Sequence, residues 1–142
     1  MAEATEAVIA REIRLGQRPA DVAHVVKFPG FDGAPYMLPI TYRYRTLTEL
    51  GVMDEACATQ AAEAMQAAYG SDEVGAQLTP SQQAKLTANI NGQLLFAIAT
   101  DWGLDVPFSL AACIQLADEM PLACATAIRD YRTRLIEGRL GN

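Results

Sequence analysis

The sequence predicts an α+β fold: a small antiparallel β-hairpin or sheet in the N-terminal third, packed against a C-terminal group of about four α-helices. Three observations predict it. Residues 22–45 show the period-2 alternation of strands around a turn rich in Pro and Gly. Residues 46–138 show apolar side chains spaced three and four apart, with helix start and stop signals between the stretches. Across all 142 residues there is no repeat, low-complexity tract or linker, so residues 1–142 read as a single domain.

Taken in order, residues 1–20 are a poorly defined N-terminal segment. Ala7, Val8 and Ala10 suit a helix, while Arg11-Glu12-Ile13-Arg14-Leu15 alternates like a strand, and Gly16 breaks either. Val22 to Phe28 is short and β-branched. Pro29 to Pro35 is dense in turn residues. After it, Tyr36, Leu38, Ile40, Tyr42 and Tyr44 share one face, and Met37, Pro39, Thr41, Arg43 and Arg45 share the other. Residues 22–45 therefore read as a hairpin with one apolar, aromatic face. Pro39 has no N–H for a ladder bond, which predicts an edge strand. A lone hairpin is marginal in water, so helices must cover that face.

Thr46-Leu47-Thr48-Glu49 is a capping box: the Thr hydroxyl accepts from the third backbone N–H, and the Glu reaches back to the cap. Leu50, Met53, Cys57, Ala61, Met65 and Ala68 form the stripe behind it. Gly51 is a weak point where the helix could split, and Gly70 is a stop. Residues 71–80 read as a polar loop. Thr79, Pro80 and Gln82 restart a helix. Its stripe is Leu86, Ile90, Leu94, Ile98 and Trp102, widened by Leu95 and Phe96, and Gly103 ends it. Ser109 caps a third helix with Leu110, Cys113, Ile114 and Leu116 on its apolar side. Pro121 opens a fourth, with Leu122, Ala125, Ile128, Leu135 and Ile136 inward, Arg129, Arg132 and Arg134 toward water, and Gly138 as its stop.

Eleven Lys and Arg stand against seventeen Asp and Glu, a net charge of −6, which argues against a nucleic-acid partner. The charge is uneven: residues 46–120 hold ten acids and one base, Lys85. No apolar run approaches the length of a membrane span, so no membrane partner and a cytoplasmic location are expected. Cys57, Cys113 and Cys124 are odd in number and lack metal-knuckle or redox spacing; they read as small apolar side chains in a reduced setting. His24 is alone and has no partner in sequence to set a tautomer. Asp101 with Asp105, and Asp118 with Glu119, sit at helix ends where acids cap or are solvated. The glycines of residues 29–33 lack a phosphate loop's spacing and its lysine. No catalytic residue, metal site or cofactor is expected, and the chain does not read as an enzyme.

The C-terminal third adds a specific pattern. Asp101-Trp102-Gly103-Leu104-Asp105-Val106-Pro107-Phe108-Ser109 is followed by Leu116-Ala117-Asp118-Glu119-Met120-Pro121, then Ala127-Ile128-Arg129-Asp130-Tyr131, and closes on Gly138-Arg139-Leu140-Gly141-Asn142. In this order the motifs resemble the tail assembly chaperones of long-tailed phages. Met120 departs from the aromatic expected there, and Tyr44-Arg45-Thr46 is similar to the family's step out of the sheet. Residues 1–20 and 71–85 carry no such likeness.

The resemblance implies a protein that binds the tape measure protein, a long, apolar-striped helical chain. It would keep that chain soluble in the host cytoplasm until the tail tube polymerises around it, with the tail tube protein as a second candidate partner. Reversible burial of an amphipathic helix is the chemistry required. Tyr36, Tyr42, Tyr44, Trp102 and Phe108 are the candidate partner-binding residues, set against plain core packing. The alternative is a small structural tail or head–tail connector protein of a phage or prophage, self-associating through an open strand edge. The oligomeric state is not legible in the sequence.

Overall fold

The hairpin forms where the alternation places it. In the computed structural model, which describes residues 10–70 and 78–137, β1 (Val22–Pro29) pairs antiparallel with β2 (Pro35–Tyr42), Val22 opposite Tyr42 and Phe28 opposite Tyr36. Gly33 takes φ 83° in the connection, a value that favours glycine. The Gly30 N–H donates to the Ala34 carbonyl at 2.8 Å, and the Ala34 N–H donates to Asp32 Oδ1 at 3.0 Å. Residues 10–21 run before β1 without helix or strand, and residues 1–9 lie outside the described residues.

A third strand, β3 (Ala99–Trp102), joins the other side of β2, giving the order β1-β2-β3. This corrects two expectations. β2 is the central strand, although it carries Pro39. A strand residue turns its N and O toward the same neighbour, and the Pro39 carbonyl accepts from Gly103 N–H at 2.9 Å, just past the end of β3. The missing donor therefore faces the place where the ladder stops. Trp102 is not the end of a helical stripe; it pairs with Ile40 across the sheet. The chain leaves the helix after Ile98 because β2 offers unpaired backbone groups there, and the Arg43 N–H donates to the Ile98 carbonyl at 2.8 Å as the ladder begins.

Four helices follow the hairpin in sequence: α1 (Leu47–Tyr69), α2 (Pro80–Ile98), α3 (Leu110–Glu119) and α4 (Pro121–Arg132), the last running into a π-helical turn over Thr133–Glu137. Local chemistry sets their ends. Both capping boxes form, Thr46 with Glu49 and Thr79 with Gln82, and Ser109 Oγ accepts from the Ala112 N–H at 3.1 Å. Gly70 ends α1 in the left-handed region at φ 64°. Helix α1 does not split at Gly51, which is exposed and costs only its low helix propensity. Most of the loop 71–80 and the Gly138 stop lie outside the described residues.

The helices cover the sheet face that carries Val26, Phe28, Leu38, Ile40 and Tyr42. Leu95, Ile98, Cys113, Cys124, Ala127 and Tyr131 meet that face or one another in a single core. The inward faces differ in detail from the sequence stripes. In α2 the fully buried side chains are Leu95 and Ile98, while Phe96 is exposed. In α4 the buried line is Ala123, Cys124, Ala127, Ile128 and Tyr131, whereas Leu122 and Ala125 are exposed, as is Ile136 in the π-helical turn that follows. Small side chains on α4 let its backbone approach its neighbours closely, which a Leu line would prevent. Arg132 and Arg134 are not simply solvated: Arg132 makes a two-pronged contact with Asp54 of α1 at 2.7 and 3.0 Å.

Candidate partner-binding surface

The five candidate aromatics occupy different environments. Tyr36 sits at the hairpin end, 38 % exposed, its ring tilted on Phe28 and lying over Gly30, where a Cβ would meet the ring at 2.0 Å. Tyr44 lies past the other end of β2, half-buried, with the Arg18 guanidinium 5.7 Å from its centroid. Tyr42 and Trp102 are core residues. Phe108 is half-buried, edge-on to Trp102 at 5.2 Å and stacked on Phe96 at 5.3 Å. The structure thus brings Trp102 and Phe108 together and adds the exposed Phe96. It holds Tyr36 and Tyr44 at opposite ends of β2. The loop around Trp102 is fixed by its Nε1–H, which donates to the Val106 carbonyl at 2.8 Å.

The polar groups near these rings close on each other. Tyr42 Oη donates to Asp130 Oδ2 at 2.8 Å, and Arg134 Nε donates to the same oxygen at 3.0 Å. His24 stands between Tyr42 and Arg134. Burial, and then the Arg134 charge, lower the His24 pKa from 6.5, so the neutral ring is favoured. For Asp130, burial pushes upward, but the Tyr42 and Arg134 hydrogen bonds win and the net shift is downward. Burial and the bond to Asp130 push the Tyr42 phenol well up. Tyr131 Oη donates to the Arg43 carbonyl at 2.6 Å, and Arg45 donates to the Ala97 carbonyl. This network ties β1 and β2 to α4. Its donors and acceptors are used within the fold, and it presents no activated nucleophile.

Among the described residues, no group of three or more His, Cys, Asp or Glu is placed to hold a metal ion. Cys57, Cys113 and Cys124 are free and buried. No described helix is long and apolar enough to cross a membrane.

What remains open is apolar surface. The sheet face turned away from the helices carries Ala23, Val25, Met37 and Pro39, with Val25 40 % and Met37 63 % exposed. A shallow groove of about 510 Å³ crosses it between Val25, Pro39, Asp101 and Gly103. Alternation in the sequence separates Met37, Pro39 and Thr41 from the inward face, but nothing local signals that no described helix covers them. A family model described as phage tail assembly chaperone matches residues 9–142. The chain belongs to that family. No curated protein and no solved structure matches it. As a phage tail assembly chaperone it is expected to meet phage tail proteins, and membership points to a non-catalytic role. The match also spans residues 9–20 and 71–85, where the motifs by themselves carried no likeness.

Proposed function

We propose that this chaperone binds the tape measure protein in the host cytoplasm and keeps it soluble until the tail tube polymerises around it. The observation that carries the reading is the apolar sheet face left open in a family member whose Tyr42, Asp130 and Tyr131 are spent on internal bonds. A protein that holds an apolar-striped chain needs surface of this kind and no reaction centre. Of the five candidate aromatics, Tyr36, Tyr44 and Phe108 keep free ring surface, with the exposed Phe96 beside Phe108. Trp102 backs Phe108 edge-on, while Tyr42 packs on Tyr131 in the core. The tail tube protein is the second partner, taking over the tape measure chain as the tube grows.

Co-expression with the tape measure protein tests the reading. The tape measure protein is expected in the soluble fraction only when the chaperone is present, and finished tails are expected to lack the chaperone. A tape measure protein equally soluble alone, or a fixed number of copies of this chain in mature tails, would overturn it. The second result would favour a structural tail or connector protein.

A further inference from the structure

An antiparallel sheet with one covered face normally turns polar side chains to water on the other. In this sheet the outward positions of β1 and β2 are Ala23, Val25, Lys27 and Pro29 opposite Thr41, Pro39, Met37 and Pro35. β3 adds Asp101, opposite Thr41. Six of these nine side chains are apolar, and three of them are prolines. We propose that this outward face seats one amphipathic helix of the tape measure protein, apolar side down, with a basic side chain over Asp101 and an acidic one over Lys27. The proposal rests on the tape measure reading above and names the surface that does the holding.

The dimensions fit a single helix. Where β3 pairs with Ile40–Tyr42, three strands spaced about 4.8 Å apart make a face about 10 Å across, close to the diameter of one α-helix, and toward the turn the face narrows to the two strands of the hairpin. Most of the seat is stiff: Ala and Pro have no side-chain rotamers to lose and Val is restricted at χ1, so the ordering cost falls on Met37 and Lys27. Gly103 keeps the floor low, since a Cβ there would lie 2.9 Å from Pro39 Cβ.

The charges fix direction. Asp101 is the one acid lining the groove, and its carboxylate is held by accepting from the Trp102 N–H at 2.9 Å. Lys27, four residues along β1 from Ala23, stands toward the hairpin end. The two charges are thus about 14 Å apart along the strands, about nine residues on a helix.

The test is co-expression with the tape measure protein, with variants of exposed residues and a photo-reactive side chain at position 37. Val25→Glu and Met37→Glu are each expected to cut the soluble tape measure yield about tenfold or more, with the chaperone's thermal melt unchanged. Val52→Glu, exposed on α1, is expected to leave the yield intact. Asp101→Asn keeps an acceptor for the Trp102 N–H and removes the charge; a loss of about two- to fivefold, erased in high salt, is expected. The photo-reactive group is expected to label tape measure segments that are helical and carry an acid and a base about nine residues apart. Full yield from both Glu variants overturns the proposal and leaves the wider reading standing. So does sedimentation of the free chain as a dimer that the same variants dissociate, because the face would then belong to a second copy. Failure of the wild-type chain to raise the yield at all overturns both.

Discussion

Gly92 on α2 offers a prediction that the geometry decides. A Cβ at this position would lie 2.5 Å from Ile114 Cα and Cγ1 and 2.8 Å from Ile114 N on α3. Ordinary contacts begin at 3.4 Å, so Gly92→Ala needs about 1 Å of separation between two helix backbones, and no side-chain rotation supplies it. Overpacking costs about 1–3 kcal/mol, and a clash with a helix backbone takes the upper part of that range, about 2–3 kcal/mol. Alanine's better helix propensity offsets up to about 1 kcal/mol. The net loss is about 1–2 kcal/mol. With about 2.1 cal/mol/K of unfolding entropy per residue over 142 residues, the melting temperature drops by about 3–7 °C. Gly51 on α1 is the internal control: the same substitution meets nothing within 4 Å. There the propensity gain stands alone, and Gly51→Ala raises the melting temperature by about 2–3 °C. Thermal unfolding followed by circular dichroism measures both. Shifts of the same sign, or a Gly92→Ala melt at or above wild type, would refute the packing between α2 and α3.

Two other outcomes follow from the buried groups. Stability is expected to fall on acidification in two stages. His24 has its folded pKa below the ordinary 6.5, so the unfolded chain takes the proton first, and stability present above that value is lost as pH falls through the folded pKa. Asp130, depressed from 3.8, has the same sign in a lower window. Urea midpoints between pH 7 and 3 measure this; His24→Gln removes the upper stage, and a midpoint that rises between pH 7 and 5 contradicts it. The thiols give an independent check. Burial pushes Cys113 and Cys124 up to about 12 and raises Cys57 as well. Aromatic disulfide reagents at pH 8 are expected to find no fast-reacting thiol in the native chain and all three after unfolding in guanidinium.

What was legible in the sequence was local. Thr46 with Glu49, Thr79 with Gln82, Ser109 and Gly70 mark helix ends through bonds made within a few residues, and each formed where it was expected. The alternation of residues 22–42 likewise assigned the two faces of the hairpin. What failed depends on distant partners. Ala99–Trp102 continues a four-residue stripe on paper, and only the vacant side of β2 turns it into a strand. Pro39 reads as an edge residue because the sequence does not reveal that β3 stops beside it. In α4, periodicity finds a stripe but not which neighbour it meets, so the small residues Ala123, Cys124 and Ala127 won the interior over Leu122 and Ile136. The same limit applies to the candidate site. Residue type singled out Trp102 and Tyr42 as readily as Phe108 and Tyr36, while the open sheet face is a property of where the helices are absent.

The late arrival of the third strand has a consequence in time. Tyr42 waits for Ala99 as its partner. At ribosomal speeds of about 5–20 residues per second, the intervening stretch takes roughly 3–11 s to emerge. Throughout that interval residues 22–42 lack a mate for the second edge of β2, Leu38 and Ile40 await cover, and any hairpin formed there is marginal. A chain cut short before Trp102 keeps that edge permanently, and such fragments are expected to clump where the full-length molecule does not.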